Sequence, residues 1–137
     1  MVLVDTSAWI EIFRKPARAT LEDSVDFDDV VTCLPVMQEV LQGFRDETAF
    51  VRAREAMRSL PIVESPLTAD VFLEAADLYR AGRRAGVTIR SGVDCVIAAC
   101  AIRNHLEVLH HDRDYDAMAR VSPLQVRRLK LLKPARP

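Results

Sequence analysis

The chain has no long hydrophobic run, few aromatic residues, only three cysteines and almost no net charge. Each shortage removes a class of protein. No apolar stretch approaches the roughly 20 residues that a membrane-spanning helix needs. The first ten residues are too short and too acidic for a signal peptide, so a cytoplasmic protein is expected. Cys33, Cys95 and Cys100 lack zinc-ligand spacing, and their odd number suits a reducing compartment. They are expected to be small buried hydrophobes. A net charge of -1 gives no global signal for nucleic acid.

What is present is a chain of 137 residues, half of them hydrophobic, enough for one domain with a self-sufficient core. That domain is expected over residues 1–132, with a short basic tail at 133–137. Charge is unevenly spread. Residues 22–29 are acidic, residues 79–90 are basic, and the chain after Asp116 carries six Arg/Lys and no carboxylate. A charged run is ordinarily solvated surface. Basic patches around an acidic centre are also what a phosphodiester substrate requires.

Val2-Leu3-Val4 reads as a buried parallel strand ending at Asp5, with a helix over Ala8–Arg14 behind it. Val30–Cys33 reads as a second strand, and Pro35 opens a helix whose Val36, Val40, Leu41 and Phe44 share a face. A charged helix over 47–59 precedes a third strand at Pro61–Glu64. Thr68 caps a long helix, Ala69–Arg84, which Gly82 and Gly86 bring to an end. Ser91-Gly-Val-Asp94 opens a nearly all-apolar helix, expected to be the most buried of the set. Val108-Leu109 is the fourth strand, HHDRDYD a loop, Ala117–Val121 a short helix and Leu129–Leu132 a last strand. This alternation indicates α/β architecture around a mainly parallel sheet.

In such sheets ligands collect beyond the carboxyl ends of the strands. Asp5 and the Asp112 region follow strands directly, and Glu39 and Asp94 lie in helices near the same edge. Each has an ordinary explanation. Asp5 can cap a helix, Glu39 suits a first turn, Asp94 fits a capping box begun by Ser91, and the acids after His111 suit a solvated loop. Four acids converging on one edge need a different one, because they repel unless a cation neutralises them.

The segments VLVDTSAWIEIF, LPVMQEVLQGF and DCVIAACAIRNHLEVLHHDRDYD resemble the PIN-domain nucleases, and most closely the VapC-type toxins of bacterial toxin–antitoxin pairs. The resemblance runs from Met1 to about Leu132. It implies a PIN-like three-layer α/β/α domain with a mainly parallel central sheet of four to five short strands. It implies a Mg²⁺- or Mn²⁺-dependent endoribonuclease in which Asp5, Glu39 and Asp94 are acidic ligands. Asp112 matches the fourth acidic position, with Asp114 its close competitor, and Ser7 or Thr6 matches the hydroxyl beside the first carboxylate. The family's small hydroxyl residue before the last acids is replaced here by His110, with His111 adjacent. Neighbours on a strand point to opposite faces, so both histidines are not expected on one metal. Arg84, Arg90 and Arg113 are candidate RNA phosphate contacts, on their nearness in sequence to the acids. The resemblance also implies a VapB-type antitoxin as partner, with the apolar faces of Trp9–Phe13 and Val36–Phe44 as its candidate grooves, and a toxin homodimer.

Two rival readings remain. One is a catalytically inactive PIN-like binding module, which retention of the acidic set disfavours. The other is a receiver-like signalling domain, which wants paired acids at its first strand end and a later lysine. Asp5 stands alone there, and no lysine lies between Lys15 and Lys130.

Overall fold

Short valine-rich segments form the centre of the molecule. β1 (Val2–Val4) and β2 (Val30–Cys33) are buried along their whole length, as strands covered on both faces must be. The computed structural model describes residues 1–134. It adds β3 (Ile62–Val63), β4 (Glu107–His110) and β5 (Gln125–Arg128) in one sheet of order β3-β2-β1-β4-β5. Every pairing is parallel.

The helices are α1 (Thr6–Phe13), α2 (Leu34–Gln42), α3 (Glu47–Arg58), α4 (Ala69–Arg84), α5 (Gly92–Arg103) and α6 (Arg113–Arg120). The chain adds β2 and β3 to one side of β1, then returns to add β4 and β5 to the other. Crossovers of one hand therefore send α1–α3 and α4–α6 to opposite faces. The packing largely follows this division: α1 touches α2 and α2 touches α3, while α4, α5 and α6 touch one another, and α2 and α5 also meet across it. The result is the expected three-layer α/β/α arrangement. The reversal at β1 leaves a crevice beyond the carboxyl ends of β1 and β4.

Local chemistry explains the helix starts at this edge. Asp5 caps α1 by accepting the Ser7 amide at 2.9 Å, and Pro35 sits in the first turn of α2. The Ser91 hydroxyl accepts the Asp94 amide at 3.4 Å to open α5. In α5 the residues Cys95, Ile97, Ala98, Ala99, Cys100 and Ala101 are all buried. The small alanine and cysteine side chains among them allow α5 its close packing on α4. A Cβ on Gly82 would stand 2.7 Å from Ile89 Cδ1, and Gly86 at φ +75° turns the chain out of α4. The three cysteines are buried and free. Among the described residues, no helix is long and apolar enough to cross a membrane.

Two elements differ from the sequence reading. The last strand is Gln125–Arg128, upstream of the expected Leu129–Leu132. It is an edge strand with mostly exposed side chains, so its pairing with β4 leaves no apolar signature. The apolar run that resembles a strand lies beyond it, with Leu129 buried just after β5. The HHDRDYD segment is also not all loop. α6 begins at Arg113, because the Asp112 side chain caps it by accepting the Asp114 amide at 3.0 Å. Residues 135–137 of the expected basic tail lie outside the described residues.

Leu109 is fully enclosed in β4 beside β1. Leu109→Ala should lower the unfolding free energy by about 3 kcal/mol. Urea denaturation with an unchanged slope checks this, and a loss below about 1 kcal/mol would contradict the sheet's central packing.

Candidate active site

Asp5 follows β1 at 2% exposure, and three donors hold it. Its Oδ2 accepts the Ser7 amide at 2.9 Å and the Ser7 hydroxyl at 2.6 Å. Its Oδ1 accepts the Tyr115 hydroxyl at 2.6 Å. Ser7 Oγ in turn accepts the His111 amide at 2.9 Å. One hydroxyl thus joins the ends of β1 and β4, which are more than a hundred residues apart. Thr6 performs a parallel task, donating to Glu39 Oε1 at 2.8 Å. Both hydroxyls singled out in the sequence contact a carboxylate, each a different one.

Asp94 lies in the first turn of α5 at 9% exposure. Burial raises its pKa to about 7, and Asp5, Asp112, Glu39 and Asp114 reinforce the shift in that order. All the acids singled out from the sequence therefore act on this one carboxyl. One oxygen each from Asp94, Asp112 and Asp114 lie within 4.8 Å of one another, a grouping that can hold a metal ion. The donors are hard oxygens on a site with excess negative charge, which fits a hard divalent cation.

The Asp112–Asp114 side carries its own cation. Arg90 Nη2 donates to Asp112 Oδ1 at 2.9 Å, and Arg90 Nε donates to Asp114 at 3.2 Å to Oδ2 and 3.3 Å to Oδ1. The Arg90 amide also donates to Asp114 Oδ2, at 3.1 Å. Of the three arginines expected at the rim, Arg90 is thus joined to the acids. Arg113 is exposed at the start of α6. Arg84 is instead one of the residues lining a separate cleft with Glu74, Asp77, Arg103 and His105.

His110 is fully buried, so the histidine in the family's hydroxyl position is not a surface group. Its Nδ1 accepts the Asp112 amide at 3.2 Å, which assigns the neutral ring's proton to Nε2, 3.2 Å from Asp116 Oδ1. Burial lowers its pKa, which keeps the ring neutral near pH 7. Tyr115 is the residue that sequence reasoning missed. Burial, with Asp5 and Asp94 nearby, holds its phenol well above the ordinary value, so it remains a donor to Asp5. Its signal was its place one helical turn after the capping Asp112, legible only once α6 is known to begin at Arg113.

A parallel α/β sheet with braced carboxylates at the carboxyl edge defines an acidic site, able to hold a cation, at a strand-order reversal. A sequence model of the PIN domain matches residues 2–121, and the chain belongs to the PIN domain family. It is 38% identical over 130 residues to Ribonuclease VapC11 of Mycobacterium tuberculosis, covering 91% of this chain and 96% of that protein. Among solved structures it resembles VapBC2 from Rickettsia felis bound to a promoter DNA fragment, with a TM-score of 0.70 and 14% identity over 95% of this chain and 100% of that one. It also resembles VapBC-5 of M. tuberculosis, a member of the VapBC family of toxin–antitoxin systems, with a TM-score of 0.66 and 20% identity over 93% and 97% of the two chains.

The raised pKa of Asp94 makes stability depend on pH in a defined direction. Between about pH 4 and 7 the folded chain binds a proton at Asp94 that the unfolded chain has released. Metal-free protein should therefore melt higher as pH falls from 8 to about 6.5, below which the lowered pKa of buried His110 opposes the rise. Asp94→Asn should flatten that rise, and a divalent cation should raise the melting temperature most at pH 8. Calorimetry in chelator and in cation checks this. A melting temperature that falls steadily from pH 8 to about 6.5 would contradict the crowding.

Proposed function

We propose that this protein is a Mg²⁺- or Mn²⁺-dependent endoribonuclease acting in the cytoplasm as the toxin of a type II toxin–antitoxin pair. The observation that carries the reading is the crowding of Asp94 by Asp5, Glu39, Asp112 and Asp114 at one sheet edge. The ribonuclease names of relatives at 38% identity support the same reaction class, and the VapBC structures support an antitoxin partner.

Asp5, Glu39 and Asp94 would hold the cation, with Asp112 completing the site. When bound, such a cation neutralises developing negative charge and acidifies water for attack on a phosphodiester. The chain's own residues supply the geometry. Tyr115 and Ser7 fix both oxygens of Asp5, so its direction is set before substrate arrives. Thr6 engages Oε1 of Glu39 and leaves Oε2 to orient a water. The buried, neutral His110 holds the Asp112 amide and thus the start of α6. In this reading Asp114, with both oxygens toward Arg90, contributes less to the cation than Asp112.

An antitoxin segment has a surface to meet beside the acids. Ile10, Phe13, Val40 and Phe44 line an open groove of about 400 Å³ together with Glu39, with Arg14, Lys15 and Arg45 among its other lining residues. Ile10 is 54% exposed, whereas Trp9 and Val36 from the same sequence segments are core residues. An apolar partner segment in this groove can present a basic side chain to the carboxylates. The toxin is expected to act as a homodimer.

Purified protein should cleave RNA with Mg²⁺ or Mn²⁺ and stop in chelator. Asp5→Asn and Asp94→Asn should each lower the rate by at least about 100-fold, the scale of losing one electrostatic stabiliser. Induced expression should arrest growth for the wild type alone. Equal cleavage by all three proteins would remove the catalytic assignment. Separately, Ile10→Asp should keep cleavage but lose neutralisation by a VapB-type antitoxin in a co-expression assay. Full neutralisation of that variant would exclude the groove as the docking site.

A further inference from the structure

The acidic site is unequally neutralised. Among the described residues, Asp5, Glu39 and Asp94 have no ion-pair partner, while Arg90 engages both Asp112 and Asp114. The Arg90 side chain is 54% exposed although its guanidinium lies against the almost fully buried Asp114. Asp112 and Asp114 are also two members of the carboxylate triad completed by Asp94. The guanidinium and a divalent cation are therefore rivals for the same carboxylates.

We propose that Arg90 is a displaceable internal counter-ion, which neutralises Asp112 and Asp114 until a divalent cation enters and then turns to the RNA phosphate. This rests on the metal-dependent ribonuclease reading above and adds how that site is regulated by its own chain. The local structure suits such an exchange. The Arg90 amide is bound to Asp114 Oδ2 independently of the guanidinium, so the segment has a main-chain anchor when the side chain leaves. Ser91 caps α5 immediately afterwards, and Asp94 follows three residues later. The arginine is therefore linked to the helix that carries the central acid. Once released, a planar guanidinium on an exposed rim is the right shape and charge for a bidentate phosphate contact. Cation binding and RNA binding would then reinforce one another, since each removes a competitor of the other, and such coupling is reciprocal.

The test uses the metal-stripped full chain and two readouts other than cleavage. In Mn²⁺ titration followed by electron paramagnetic resonance, Arg90→Gln should bind Mn²⁺ about tenfold more tightly than the wild type, through loss of a positive charge close to the ion. Arg90→Lys, which keeps that charge, should stay near wild type. Affinity that is unchanged or weaker in Arg90→Gln would overturn the proposal, because it would make the arginine a fixed brace. The second readout needs no variant and so survives misfolding of either one. The Arg90 Nε–H resonance of the wild type should be protected from solvent exchange without Mg²⁺ and lose that protection at saturating Mg²⁺. Protection that persists at saturation would also overturn the proposal. Absence of Mn²⁺ and Mg²⁺ binding to wild type and variants alike would instead sink the metal-dependent reading itself, and the exchange with it.

Discussion

Like-charged carboxylates packed against one sheet edge repel, and this repulsion organises the rest of the molecule. Asp94 feels it most directly, because it is enclosed at the head of α5 with four acids acting on it. Burying such a group without compensation is costly. The chain offsets part of that cost with donors and one guanidinium. The rest is an electrostatic demand that a hard cation can meet. The stability of the site and its capacity for chemistry are thus two consequences of one arrangement.

The braces around the acids are as informative as the acids. Ser7 and Tyr115 fix Asp5, Thr6 fixes Glu39, His110 fixes the Asp112 amide and Arg90 fixes Asp114. These partners come from α1, α6, β4 and the segment before α5, so the site is a junction of elements from both faces of the sheet. Metal ligands generally depend on such supporting contacts for direction and basicity. His110 has a bracing role: its Nδ1 accepts the Asp112 amide, and its Nε2 lies 3.2 Å from Asp116 Oδ1.

Much of the fold was legible because its signals are local. The valine runs of β1 and β2, the caps Asp5 and Ser91, and the small-residue face of α5 appear where the sequence places them. The failures occurred where local signal and tertiary context disagree. Gln125–Arg128 looks polar because an edge strand can satisfy its backbone on one side and leave its side chains in water. The acidic segment after His111 looks like a loop because its helix start is stabilised by Asp112 capping and not by an apolar stripe.

The sequence alone determined that carboxylates would meet at the carboxyl edge of a parallel α/β sheet, because alternating strands and helices leave few topologies and strand-end residues point to one edge. It also determined the family, through the segments around Asp5, Glu39 and Asp94. Only the tertiary structure decided which side chains would brace or neutralise those acids. Tyr115 reaches Asp5 across 110 positions and Arg90 reaches Asp114 across 24. Such pairings depend on how α6 and the start of α5 pack around β4, and no local pattern along the chain encodes a distance in space.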